Sequence, residues 1–210
     1  MGEALLTGVE LQRQTLRLYG ELVCRRESWA GKLVFGAGEG AIGTGLSAAA
    51  SIAGGTSLVV DPDGAAVKRV FRGGGVDFVV NSLDEAVRIL KNEIRKGTPV
   101  GVAVVAEVGS VVEEMRERGV RPDLERGGVV EPSAELIEWL GARGWYETLF
   151  VRTGNASDGP LLALLPPEDV VRRRWLRQIG RYQRSATGSR LVWMTSAEQR
   201  AFAGLSEEAR

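Results

Sequence analysis

Two patterns alternate along the chain. Short contiguous apolar runs lie at Lys32–Ala37, Ser57–Asp61, Val76–Val80 and Pro99–Ala106. Runs of this length without polar alternation predict strands covered on both faces. Between them apolar residues recur at three- and four-residue intervals. This predicts helices over residues 9–24, Leu46–Ala53, Ala65–Arg72, Leu83–Lys96, Ser110–Arg118 and Pro132–Arg143. The clearest is Leu83–Lys96. Ser82 and Glu85 form a capping box, Leu83, Ala86, Val87, Leu90 and Ile94 share a face, and Gly97 ends it. Pro122–Gly128 holds a short strand at most, and Glu147–Arg152 reads as another. A long basic helix is predicted from Pro166-Pro167 to about Ser185, then a strand at Arg190–Met194 and a short helix from Ser196. Strands alternating with helices imply an α/β fold: a doubly wound parallel sheet in three layers, with right-handed crossovers and an N-terminal helical arm.

Composition narrows the chemistry. The 210 residues are 44% apolar and 26% charged, which suits a globular domain with a real core. Lys and Arg number 27, as do Asp and Glu, so no net charge points to nucleic acid or membrane. Cys24 is the only cysteine, which predicts no disulfide framework and a reducing, cytoplasmic setting. The first residues lack the basic start and apolar run of a signal peptide. With no histidine, Ser-His-Asp and Cys-His catalysis and imidazole-ligated zinc sites are excluded. No metal site and no catalytic residue is assigned.

The strongest motif is Gly36-Ala37-Gly38-Glu39-Gly40-Ala41-Ile42-Gly43, between a predicted strand and a predicted helix. This is the setting of a dinucleotide-binding, Rossmann-like fingerprint. Gly38 supplies the tight turn, Gly40 the close approach of backbone to pyrophosphate, and Gly43 close helix–strand packing. Ala41 and Ile42, with Gly38, Gly40 and Gly43, offer backbone N–H groups at a helix start. Asp61 ends the second strand, where an acid accepts from the adenosine ribose and favours NAD over NADP. Glu39 is discordant, since a carboxylate in the loop repels pyrophosphate.

These residues resemble the central NAD-binding domain of urocanase (urocanate hydratase). The family's Ala-Gly-x-Gly-Gly-Met-Gly-Gly-Ala-Gln-Pro stretch has its counterpart at Ala37–Ser47, and its acid-terminated strand at Asp61. Val76-Asp77, Leu83-Asp84-Glu85-Ala86 and Arg118-Gly119-Val120-Arg121-Pro122-Asp123 continue the register. Leu165–Asp169, Trp175-Leu176 and Arg190–Trp193 are similar more loosely, so the resemblance spans roughly residues 8–205. It implies residues 1–31 as the helical arm, residues 32–205 as a Rossmann NAD-binding domain and residues 206–210 as a tail. It also implies NAD as cofactor, a homodimer, and chemistry in which NAD⁺ activates an imidazole substrate for water addition. The family's His-Gly-Asn-Ala loop falls on Val105-Ala106-Glu107-Val108, and its Asp-Gln-Thr-Ser-Ala-His run falls near Gly127–Pro132. The family's flanking substrate-binding regions have no counterpart here. The expectation is therefore an NAD-binding domain without hydratase activity of its own, acting alone or with a separate catalytic partner. If it is active, its chemistry is that of a urocanate hydratase-like lyase. Two alternatives stand beside this: a small NAD-dependent lyase or oxidoreductase subunit, and a scaffold or regulatory protein that has lost the cofactor.

The arginines of residues 166–190 invite a phosphate-contact reading, but a solvated face around a stripe of Val171, Trp175, Ile179 and Tyr182 accounts for them without one. The acids Asp77, Asp84, Glu85, Glu113, Glu114 and Glu117 have the spacing of exposed helix faces. Asn155, Ser157 and Asp158 read as turn chemistry.

Overall fold

A computed structural model describes residues 8–38, 40–126, 131–151, 158–183 and 189–208. Its contiguous apolar runs form β1 (Leu33–Ala37), β2 (Thr56–Val60), β3 (Phe78–Val80) and β4 (Val100–Val104), and the short run after Pro122 forms β5 (Leu124–Arg126). They make one parallel sheet in the order β3-β4-β2-β1-β5. Every residue of β2 and β4 is buried, as continuous apolar strands in a doubly covered sheet should be.

The intervening segments form α1 (Gly8–Arg25), α2 (Leu46–Ala53), α3 (Gly64–Arg72), α4 (Leu83–Lys96) and α5 (Val108–Glu117). Helix faces follow from the direction of travel. The chain moves from β1 through β2 to β3 with α2 and α3 on one face, where Ala41, Ile42, Ala66 and Val67 pack on Val59 and Ala103. It returns through β4 to β5 with α4 and α5 on the other face, where Leu83, Leu90, Val111 and Met115 pack on Phe35, Leu58, Val102 and Val104. Reversing direction and changing face together keeps every crossover of one hand.

The remaining elements are α6 (Ala134–Gly141), β6 (Tyr146–Val151), α7 (Gly159–Leu164), α8 (Val170–Tyr182), β7 (Ser189–Met194) and α9 (Ser196–Glu208). Here the structure differs from the simplest expectation. β6 and β7 do not extend the parallel sheet; they pair antiparallel as a separate two-stranded sheet, Leu149 opposite Leu191. The predicted basic helix is preceded by a separate short helix, α7, with Pro160 in its first turn, and α8 starts only after Pro166-Pro167, capped by Asp169 on Arg172 N–H.

α1 lies across α2 and β7 and buries Leu16, Leu18, Tyr19 and Leu22. Tyr19 stacks between Trp175 and Trp193, with ring centroids 5.7 and 6.2 Å away, and donates its hydroxyl to Val171 O. Burial pushes the Tyr19 phenol well above its ordinary pKa. Gln12 uses its amide on β7: Oε1 accepts from Leu191 N–H and Nε2 donates to Ser189 O. Buried Glu21 accepts from Arg25, Arg126 and Ser133 N–H, which ties α1 to β5 and to the start of α6.

Candidate functional site

In an open parallel sheet, ligands bind outside the carboxyl ends of the strands where neighbouring strands are reached in opposite directions. That point lies between β1 and β5: from β1 the chain steps one way to β2, and it comes back to place β5 on the other side. Gly38 follows β1 directly, so the glycine motif sits at the mouth of this crevice.

The motif does not lead straight into an α-helix. Gly38 (φ 130°) and Gly40 (φ 80°) both have backbone conformations that L side chains rarely adopt. A single 3₁₀ turn, Ala41–Thr44, follows, then Gly45 (φ 81°), and only then α2. A Cβ placed on Gly38 would meet nothing within 4 Å. The glycine is thus required by backbone conformation and not by a collision of its Cβ.

The turn is largely self-satisfied. Ala41 N–H donates to Gly38 O at 3.1 Å and Gly43 N–H to Gly40 O at 2.9 Å. Ile42 N–H points at Asp61 Oδ2, 3.4 Å away. Asp61 therefore lies beside the loop, as its place at the end of β2 suggests, but its carboxylate faces inward. It is 0% exposed, and its other oxygen accepts from Asp63 N–H at 2.9 Å. It fastens the loop to the β2–α3 turn. Asp63 in turn caps α3 through Ala65 and Ala66 N–H, and these bonds, chiefly that of Ala66, hold its carboxyl below the usual range.

Close packing of α2 onto the sheet and of α1 onto the start of α2 is built by glycines other than Gly38, Gly40 and Gly43. A Cβ on Gly36 would come within 2.5 Å of Leu46 Cδ2. One on Gly101 would collide with Ser47 Oγ, and one on Gly45 with Thr15 Oγ1. Gly43 lies inside the 3₁₀ turn and is buried. Between α2 and β2, Ser47 and Ser57 share a buried hydroxyl–hydroxyl bond of 2.7 Å. Such roles are invisible to motif spacing, because they depend on which strand residues face the helix.

Other sequence candidates fall as follows. Glu107 precedes α5 at the end of β4, exposed and without a side-chain cap bond. Glu39, Gly127–Val130, Asn155, Ser157 and Arg184 lie outside the described residues. The basic cluster is structural. Arg172 is 3% exposed and binds Asp169, Glu198 and Trp193 O, with Trp145 beneath it at 4.4 Å. Arg173 closes the end of α7 through Leu162 O and Leu165 O. Arg190 pairs with Asp158 at 2.9 Å. Arg181 reaches Asp77 at 3.5 Å on the surface. Burial, with the nearby Glu135 and Glu21, pushes the Cys24 thiol up to about 11, so it is no nucleophile at neutral pH. Among the described residues no cluster of three or more metal-ligating side chains occurs, and no helix is long and apolar enough to cross a membrane.

A family model described as the urocanase Rossmann-like domain matches residues 12–127. The match runs from α1 through the end of β5 and takes in the whole parallel sheet, the glycine loop and Asp61. By this match, and by the parallel sheet with its switch point at the glycine loop, the chain belongs to the urocanase family through its Rossmann-like domain.

Proposed function

We infer that the protein binds a dinucleotide, NAD in the first instance, in the crevice between the carboxyl ends of β1 and β5. The observation that carries this is the coincidence of the topological switch point with Gly38, whose positive φ and lack of a side chain leave bare backbone for a pyrophosphate to approach. Gly38 and Gly40 would let the phosphates approach the backbone. The N–H groups of Gly38 and of the turn residues Ala41, Ile42 and Gly43, engaged on Val60 O, Gly38 O, Asp61 and Gly40 O, would hold them only by exchanging those bonds. Asp61 would act first by fixing that turn, and ribose hydroxyls would reach it only by displacing Ile42 or Asp63 N–H. NAD, when bound, would supply an electrophilic ring.

In this reading the chain's own residues do not hydrate urocanate. Glu107 stands where the family's loop carries Asn, and an ionised carboxylate has no N–H to donate where the amide would. Residues 32–205 form the nucleotide-binding unit and α1 braces it. A homodimer, a separate catalytic partner and a reducing cytoplasm complete the proposal, the last supported by Cys24 being the single cysteine of the sequence.

Denaturing the purified protein and analysing the supernatant by mass spectrometry tests the reading. Released NAD, or a thermal shift on adding NAD that Gly40→Glu abolishes, is the expected result. Absence of both sinks it. Loss of urocanate absorbance on incubation would overturn the inactive assignment.

A further inference from the structure

A second site lies away from the glycine loop. Arg174 Nη1 donates to Ala53 O, the last carbonyl of α2, at 3.2 Å. The glycine loop leads into the other end of this helix, about 12 Å away for eight residues. Beside Arg174, where α1 ends and α6 and α8 converge on it, is a groove of about 920 Å³. That volume lies within the usual range of small-molecule sites, roughly 300–1,000 Å³.

Its chemistry is specific. Trp139 and Trp145 line it, half-buried and packed edge to face at 5.3 Å. Trp145 is stacked with Trp193 at 6.2 Å and has the Arg172 guanidinium carbon 4.4 Å from its ring centroid, so its position is fixed by the fold. Arg143 lies with its guanidinium carbon 4.1 Å from the Trp139 centroid and 5.7 Å from that of Trp145, and Nη1 donates to Trp139 O at 3.0 Å. Arg143 is itself exposed, and with one N–H engaged on Trp139 O its guanidinium retains further donors. Among the described residues neither Arg143 nor Arg174 has a carboxylate in ion-pair range, whereas Arg25 and Arg26 on the rim are paired with Glu21 and Asp123. The acid nearest the floor, Asp169, is taken by Arg172 at 2.5 Å. Glu27 and Glu168 are exposed on the rim, where solvent and salt screen them.

We propose that this groove is a binding site for a planar fused-ring carboxylate, its rings against Trp139 and Trp145 and its carboxylate on Arg143 and Arg174. The two indoles and the volume call for more than a single ring. The two unpaired guanidinia call for a negative charge, and Arg143 offers a carboxylate a bidentate contact. The site stands independently of the nucleotide reading, because it shares no residue with the glycine loop.

The test is calorimetric titration of the full chain with three probes: 2-naphthoate, its uncharged isostere 2-naphthamide, and cyclohexanecarboxylate, which has the charge without the flat rings. Saturable binding of 2-naphthoate is expected, with naphthamide at least about tenfold weaker and cyclohexanecarboxylate weaker still. Arg143→Gln and Arg174→Gln should each weaken naphthoate about tenfold. Arg143→Lys, which keeps the charge but loses the planar fork, should fall between wild type and Arg143→Gln. Lys91→Gln, on the exposed side of α4 across the sheet, should bind naphthoate like wild type. Thermal melts of each variant establish that it is folded, and should Arg143→Gln fail to fold, Arg143→Lys and Arg174→Gln decide. The proposal is overturned by absence of saturable naphthoate binding at millimolar concentration, by equal affinity for naphthoate and naphthamide, by wild-type affinity in the folded arginine variants, or by loss of binding in folded Lys91→Gln.

Discussion

Substituting Gly101 by Ala probes how α2 is set on the sheet. The new Cβ collides with Ser47 Oγ, but it stands 3.4 Å from Ser47 Cβ and 3.4 Å from Ser57 Oγ, both ordinary contacts. Only the tip of Ser47 is in the way. Rotating Ser47 about χ1 removes the collision and breaks the 2.7 Å bond to Ser57 Oγ, whose residue is 0% exposed. The cost is then that of leaving buried hydroxyls unpaired, about 1–3 kcal/mol, and not that of pushing helix and sheet apart. For a chain of this size that corresponds to a fall of roughly 2–12 °C in melting temperature. A double-mutant cycle separates these two costs. In a Ser47→Ala background the bond is already gone and the obstructing atom is absent, so Gly101→Ala should cost nothing or stabilise by up to about 1 kcal/mol, through reduced freedom of the unfolded chain. Urea unfolding of wild type, both single variants and the double variant measures the coupling. If Gly101→Ala costs the same in both backgrounds, within about 0.5 kcal/mol, the hydroxyl pair is not what the glycine protects.

Gly38→Ala meets no neighbour, so its cost is backbone strain alone, about 1–3 kcal/mol, and it should weaken NAD binding in a thermal-shift titration without a gross change in the far-ultraviolet spectrum. Arg172→Met strands Asp169 and Glu198 and should destabilise by about 3–5 kcal/mol in urea, with much of the loss recovered when Glu198 is also changed to Gln; no recovery would show that the carboxylates are not the source of the penalty. Burial pushes the Glu198 carboxyl up, but Arg172 and Thr195 N–H outweigh it and hold its pKa below the ordinary value. A depressed folded pKa means stabilisation that is complete above the unfolded value of about 4.3 and drains away as pH falls through the folded one, so melting temperature should drop more steeply below about pH 4 in wild type than in Glu198→Gln. Asp63→Ala should loosen the start of α3, lowering the melting temperature slightly, and speed amide exchange at Ala65 and Ala66.

The parallel sheet was legible because each of its determinants is local. Leu83–Lys96 begins at Ser82, whose hydroxyl accepts from Glu85 N–H, and ends at Gly97 (φ 68°); both signals are readable in one dimension. Leu46–Ala53 is bounded in the same way by Gly45 and Gly54. What escaped the sequence depends on pairing at a distance. The run at Tyr146–Val151 has the composition of a strand whichever sheet it joins; its antiparallel match to Ser189–Met194 is decided by how β7 is held, with Gln12 of α1 closing its other edge. The candidate site divides along the same line. Gly38 and Gly40 announce themselves by spacing, and their positive φ agrees with it. The inward turn of Asp61 does not, because a carboxylate at the end of a strand has the same sequence signature whether it faces ribose or its own loop.

The charged residues show how a neutral total conceals a specialised distribution. Between Arg172 and Arg190 the sequence offers a run of guanidinia that looks like a phosphate-binding stripe. In the fold Arg172 is buried on Asp169 and Glu198, Arg173 closes α7, and Arg190 is held by Asp158. Each has been spent on a carbonyl or carboxylate that burial would otherwise leave unsatisfied, which is the ordinary fate of charge inside a protein. The informative cations are therefore those the fold has ordered without neutralising. Arg174 meets that condition from within the run, and Arg143 meets it from outside, on the turn after α6, where sequence pattern gave no reason to look. Their convergence on two half-buried indoles is a property of the fold alone, produced where α6 and α8 come together at the end of α1.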